Sequence, residues 1–326
     1  MKAARVVAGL AVSVFFAWAT LTRVDLGEVA RTLGRAALPG LVLAFVFSWL
    51  EIGVRAWRWR YLLSPLGRVG YRDAFAYTCV GYFANTILPM RLGEVARAYL
   101  AATALRLPRL ATLGSIATER LFDGFVILGV AMGLGFVVLG ASDRAPLTAW
   151  IGLGLAALLA TAAGVFVLSR WRAAIVSWLP ERLVRPATRL IHGTAAVRNL
   201  RGATIAAGAT LGAYLCAVGA MLAAATSVGL SLSLPQAGFA IAWIGLATAI
   251  PAAPGSVGTY EFVGVSALTL LNQNPASALA AVVLLHVIGT LPVALVGLFT
   301  TWALHLRVWR LASTGGEPAS VPAVGS

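Results

Sequence analysis

The chain has 326 residues, 60% of them hydrophobic and only 11% charged, with a mean hydropathy of +0.88. No soluble fold buries that much apolar surface without a bilayer, so the composition predicts an all-α polytopic membrane protein. The net charge of +14 rests on arginine, since Lys2 is the only lysine; arginine forks match phosphate oxygens, and basic juxtamembrane clusters attract anionic lipid.

Lys2 and Arg5 precede an apolar run over 6–22 that has the outline of a signal peptide but lacks a small-x-small cleavage site. It is expected to remain as an anchor. Further apolar segments follow at 39–62, 73–89, 110–140, 146–169, 203–229, 236–251, 256–271 and 276–306. Arginines crowd 55–72, 170–201 and the tail at Arg307 and Arg310, while 141–147 and 229–236 are nearly charge-free. The positive-inside rule puts the first set in the cytoplasm and the second outside. Loop 23–38 is mixed and falls outside by parity alone. Both termini are then cytoplasmic.

Two apolar segments break at a proline and resume with glycine and glutamate: Asn85-Thr86-Ile87-Leu88-Pro89-Met90-Arg91-Leu92-Gly93-Glu94, and Pro251 through Pro254-Gly255-Ser256-Val257-Gly258-Thr259-Tyr260-Glu261. By parity, 73–104 enters and leaves on the cytoplasmic side, and 236–271 on the opposite side. Each half-segment has about 14–16 residues, short of the roughly 20 that span a bilayer. Both are expected to be re-entrant hairpins. The chain then reads as one transmembrane domain over 1–312, built as an inverted-topology repeat of 39–140 and 203–306. Interrupted segments in corresponding halves point to a transporter's binding site. Residues 170–202 read as a cytoplasmic amphipathic linker, and 313–326, rich in Gly, Pro and Ser, as a disordered tail.

Glu51, Glu94, Glu119, Asp123 and Glu261 sit in or against apolar segments. A carboxylate near the bilayer centre costs about 2.5–3.5 kcal/mol, so each needs a partner or a wet cavity. Arg91 and Arg97 flank Glu94, and Arg120 lies between Glu119 and Asp123; these spacings allow local pairs that would simply lock the hairpins. The helix after each break should offer free amides and a positive dipole end to an anion such as a lipid phosphate. Gly255 and Gly258 would let backbone approach a ligand, or equally let helices pack closely. The carboxylates could hold a head-group amine or pass a proton. His286, deep in an apolar run, reads more readily as a hydrogen-bonded bundle residue than as a proton carrier.

Cys79 and Cys216 read as small hydrophobes, and His192, His286 and His305 are too scattered for zinc, so no metal or cofactor is expected. The sequence contains no phosphate-cradling loop, nucleophile elbow or soluble catalytic domain.

Four elements in this order resemble the integral-membrane, flippase-like domain of the lysyl-phosphatidylglycerol synthase family: Arg55-Ala56-Trp57-Arg58-Trp59; Asn85 through Arg97, with Pro89, Arg91, Gly93 and Glu94 as its core; Glu119-Arg120-x-x-Asp123; and Pro254-Gly255-x-x-Gly258-x-x-Glu261. The likeness covers about residues 5–310. It implies translocation of an anionic, aminoacylated or polyprenyl-linked lipid across an inner membrane, with these residues around the lipid. Bifunctional members carry a C-terminal aminoacyl-transferase domain that this sequence does not display, so the expectation is a non-enzyme whose partner is membrane lipid and not nucleic acid. Two other readings stay open: a non-transporting partner presenting lipid to a separately encoded glycosyltransferase or aminoacyltransferase, and an intramembrane enzyme using Glu94 or Glu261 as acid or base.

Overall fold

A computed structural model describes residues 2–88, 92–140, 181–247 and 253–313, with a few positions between 148 and 159. The described secondary structure is entirely helical. Helices α1 (Lys2–Leu21) and α2 (Leu26–Gly34) lead into α3 (Leu38–Leu63), α4 (Tyr71–Ile87), α5 (Leu92–Ala104) and α6 (Arg109–Val138). After the undescribed stretch come α7 (Glu181–His192), α8 (Leu200–Ser227), α9 (Leu234–Ala247), α10 (Thr259–Leu270) and α11 (Pro275–Ser313). Four of these, α3, α6, α8 and α11, are long and apolar enough to cross a membrane.

Local chemistry sets the ends. Asp25 caps α2, its Oδ1 accepting from the amides of Gly27 at 2.7 Å and Glu28 at 3.2 Å. That cap makes a helix of a stretch the hydropathy pattern leaves as a mixed loop, because a nine-residue surface helix carries no spanning signal. Pro39 opens α3, where its missing N–H costs nothing. Asn199 caps α8 through the Gly202 amide at 2.7 Å, and Asn274 Oδ1 takes the amides of Ala276 and Ser277 at the start of α11. Most of the apolar stretch 146–169, residues 170–180 of the expected linker, 314–326 of the expected tail, Pro89, Met90, Arg91 and 248–252 lie outside the described residues.

In the middle, α3 lies along α8. Gly219 of α8 lies against Phe47 of α3, and Gly40 of α3 sits directly on Ala223 and Ser227 of α8. Small residues let two backbones approach where lipid supplies no hydrophobic drive for association. Around this pair the contacts fall into matched sets: α4 packs on α11 and α9 on α6; α4 on α5 and α9 on α10; α5 on α6 and α10 on α11; α3 on α4 and α8 on α9. Exchanging α3, α4, α5, α6 for α8, α9, α10, α11 leaves the set unchanged. Outward faces are apolar, with Val42, Phe45, Val46 and Leu50 on α3 and Leu295, Phe299 and Trp302 on α11 exposed, as suits a lipid-facing surface.

The α4–α5 break is closed by two glycines. The Gly93 amide donates to Asn85 Oδ1 at 2.9 Å, and a Cβ on Gly93 would lie 2.5 Å from that oxygen and 2.6 Å from the Asn85 nitrogen. Gly81, opposite, leaves room for the Arg97 side chain, whose Cδ would be 3.0 Å from any added Cβ. Gly93→Ala should therefore destabilise the detergent-solubilised protein by about 1–3 kcal/mol through overpacking. Gly208→Ala, which meets nothing within 4 Å, should leave the melting temperature unchanged or raised. Equal melting temperatures for the two variants would contradict the close crossing.

Candidate functional site

On α3, Glu51, Arg55 and Arg58 occupy one face at helical spacing; on α6, Glu119, Arg120 and Asp123 do the same, and α5 adds Glu94 and Arg97. Folding brings the three faces together. Arg58 lies at the dry end, 1% exposed, with Nη1 donating to Asp123 Oδ1 at 2.5 Å and to Thr210 Oγ1 of α8 at 2.6 Å, and Nη2 to Glu119 Oε1 at 3.4 Å. Glu119 also accepts from Arg97 Nη1 at 3.1 Å. The Arg97 guanidinium lies 3.6 Å over the Trp59 ring, and Trp59 Nε1 donates to Ser115 Oγ at 3.1 Å. At the wet end, Arg120 joins Glu94 and Asp123, each at 3.2 Å, with 39% of its side chain exposed. Arg55 bonds Glu51 at 2.8 Å and reaches Asp123 at 3.4 Å.

The pairing departs from the local expectation at Glu94. Arg97 turns away from it to Glu119, and Glu94 is served by Arg120 of α6. Successive turns of α5 present Glu94 and Arg97 to different neighbours, and tertiary contact overrides spacing. Arg91 and Pro89 lie outside the described residues, so the proposed Arg91–Glu94 pair does too. Arg97 Nε and Nη2 have no hydrogen-bond acceptor among the described residues. Those two atoms form one edge of the guanidinium, the edge that grips an oxyanion with two parallel bonds.

These side chains open onto a cavity of about 270 Å³. Of the residues expected at the site, Arg55, Asn85, Glu94, Arg97, Arg120 and Asp123 line it; Arg58 and Glu119 stand behind them, holding Asp123 and Arg97. The opposite wall comes from α8, α10 and α11 through Thr210, Tyr214, Tyr260, His286 and Thr290. Sequence reasoning did not place these residues at the site, nor Glu51, although Glu51 four residues before Arg55 was a local signal. His286 carried only the signal of a polar ring in an apolar run. Its partner lies 25 residues earlier: Nδ1 is 2.6 Å from Glu261 Oε1, and Nε2 is 3.0 Å from the Gly255 carbonyl.

The second break stands one layer back from the cavity, joined to it through His286. Pro254, Gly255, Gly258 and Glu261 do not line the cavity. The Gly258 amide is taken by Glu261 Oε2 at 2.7 Å and the Ala253 amide by Ser13 Oγ of α1 at 2.8 Å. The N-cap amide of the helix after the break is thus taken by the N3 carboxylate of the same helix. Gly255 and Gly258 have φ of +70° and +85°, and a Cβ on Gly258 would lie 3.1 Å from Ala17 Cβ. Left-handed backbone and close packing on α1 explain these glycines. At the first break, Gly93 is likewise satisfied by Asn85. Among the described residues no group of three His, Cys, Asp or Glu side chains could hold a metal.

A membrane helix bundle with a charged interior cavity is thus the class the fold defines. The chain belongs to the lysylphosphatidylglycerol synthase TM region family, whose model matches residues 6–297. It is also 28% identical to the glycosyltransferase AglD of Haloferax volcanii, across 96% of this chain and 56% of that protein. The chain spans little more than half the length of that curated relative.

Arg58→Met should leave the network with one carboxylate in excess at its dry end and destabilise the fold by about 3–5 kcal/mol, as breaking buried pairs does in soluble proteins. Adding Asp123→Asn, which restores the charge balance while Glu119 keeps Arg97, Arg55 keeps Glu51 and Arg120 keeps Glu94, should recover a measurable part of the lost melting temperature. An Arg58→Met protein as stable as the parent would show that the network holds nothing together.

Proposed function

We propose that the chain moves a lipid between the leaflets of the cell's inner membrane, without catalysing a reaction, by taking the head group into the cavity between α3–α6 and α8–α11 while the acyl or prenyl chains stay in the bilayer. The observation that carries this reading is the cavity: polar and charged within, walled by both halves of the chain, inside a bundle with an apolar exterior. Its volume of about 270 Å³ suits a head group rather than a whole lipid. Arg120, the most exposed cation of the network, supplies donors for a phosphate.

In this reading α4–α5 and α9–α10 are re-entrant hairpins, and 39–140 and 203–306 are inverted repeats. The exchange symmetry of the helix contacts supports this, as does the shortness of the four helices, 17, 13, 14 and 12 residues. With both termini cytoplasmic, a cysteine at Arg198 on a cysteine-free background should react with an impermeant reagent only from the cytoplasmic side, and one at Ser231 only from outside. Reaction of both from one side would reject the inverted arrangement.

A second reading has its own support. The likeness to a protein named as a glycosyltransferase, over little more than half of that protein, fits a chain that presents a lipid to a separately encoded lipid-modifying enzyme. Vesicle reconstitution separates the two. The purified chain should exchange fluorescent phosphatidylglycerol or a polyprenyl phosphate between leaflets faster than empty vesicles. No exchange of either, together with co-purification of a transferase, would favour the presenting role. Arg120→Gln should lower exchange about tenfold or more by removing a charge-assisted contact. Because its side chain is 39% exposed, melting temperature should change by no more than about 1 kcal/mol implies. A variant that unfolds would instead make Arg120 a structural ion-pair partner.

A further inference from the structure

The imidazole of His286 faces two acceptors with one ring. The Gly255 carbonyl can only accept, so Nε2, 3.0 Å away, carries a hydrogen. At 2.6 Å, Nδ1 and Glu261 Oε1 cannot both present lone pairs, so a second proton lies between them. Whether it is written as imidazolium with carboxylate or as neutral imidazole with carboxylic acid, the pair holds that second proton. Tyr260 stacks on the ring with centroids 4.1 Å apart, and both residues line the cavity.

We propose that the Glu261–His286 pair is a proton-binding site on the cavity wall and that its proton travels with the lipid. When the proton leaves for cavity water, the neutral ring retains one N–H for two acceptors. Either Gly255 or Glu261 then loses its tie to α11. Both ties therefore exist below the pair's titration and one is lost as pH rises through it. The loop they hold is the second break, whose Gly255 and Gly258 already occupy left-handed backbone.

Other charged and titratable groups share this chamber. Glu51 and Arg55 face it from α3, Tyr82 from α4, Tyr214 from α8, and Tyr260 from α10; across it stand Glu94 and Arg97 of α5 and Arg120 and Asp123 of α6. Cys216 lies on α8, Arg23 sits 6.0 Å over the Phe262 ring, and Glu28 of α2 meets Asn274 at the distant start of α11. Neither α9 nor the described side chains of α1 adds a titratable group. The arginines and carboxylates of the network balance at four each. Deprotonating the pair thus leaves the chamber one unit negative, and an anionic head group meets that charge. Anion and proton favour each other's binding, and the coupling is reciprocal.

The proton site stands on geometry, whereas its use in transport rests on the translocation reading. Ring-nitrogen resonances of ¹⁵N-histidine-labelled protein in nanodiscs should include one, absent in His286→Gln, that changes across the pH range over which the protein stays folded and moves in Glu261→Gln. A His286 signal that is constant across that range overturns the site. In vesicles of phosphatidylethanolamine and phosphatidylglycerol, exchange of fluorescent phosphatidylglycerol should fall about tenfold per pH unit above the titration, and Glu261→Gln should flatten that profile. Exchange that is fast and equal at every pH overturns the coupling and leaves translocation standing. If the parent protein exchanges no lipid at any pH while His286 titrates, translocation fails, and coupling fails with it.

Discussion

Charge balance inside the membrane is the constraint on which the rest depends. Four arginines and four carboxylates are drawn from α3, α5 and α6, and the innermost, Arg58 and Glu119, are 1% exposed. A lone ion there would cost several kcal/mol, so every member must find a partner while the helices assemble. That requirement fixes how α3, α5 and α6 are rotated about their axes. Through Thr210 it also ties α8 to the same centre. Apolar packing of alanine and glycine surfaces sets how near the helices come; the ionic network sets which faces meet.

The network is graded as well as balanced. Its dry end has tight geometry and little room, while Arg120 and Glu94 stand at the wet end with exposed atoms. Such an arrangement keeps a rigid inner layer behind an adaptable outer one, and a polar ligand would meet the outer layer first. The opposite wall works differently. It carries hydroxyls and the His286 ring, which Glu261 holds from behind, rather than an array of arginines and carboxylates.

Much of the architecture was legible because membrane helices announce themselves by length and composition. The boundaries of α3, α6 and α8 fall within a few residues of those read from hydropathy. Breaks at Pro89 and Pro251–Pro254 were visible for the same reason: an apolar run that stops short of a bilayer's thickness needs an explanation. The local pair of Arg120 with Asp123 was legible too, since three or four residues bring side chains together on any helix, and the same spacing of Glu51 and Arg55 went unread. What escaped was every partnership that depends on two helices meeting: Arg97 with Glu119, Arg120 with Glu94, Arg58 with Asp123, and His286 with Glu261. At the second glycine motif, positive φ and contact with α1 look in sequence like a loop open to ligand.

For a lipid head group to enter the charge-lined chamber between the two halves, as proposed, that chamber must be open to water. The most direct measurement is cysteine accessibility at Thr290, on the cavity wall of α11, in a background with Cys79 and Cys216 replaced. A water-soluble, charged thiol reagent should modify Thr290→Cys in vesicles, and short-chain phosphatidylglycerol should slow that reaction. Cysteine in place of Leu295, exposed on the outer face of α11, should react only with a membrane-soluble reagent. A Thr290→Cys protein that stays unmodified by the charged reagent while folded, or that reacts at a rate no lipid alters, would contradict the claim.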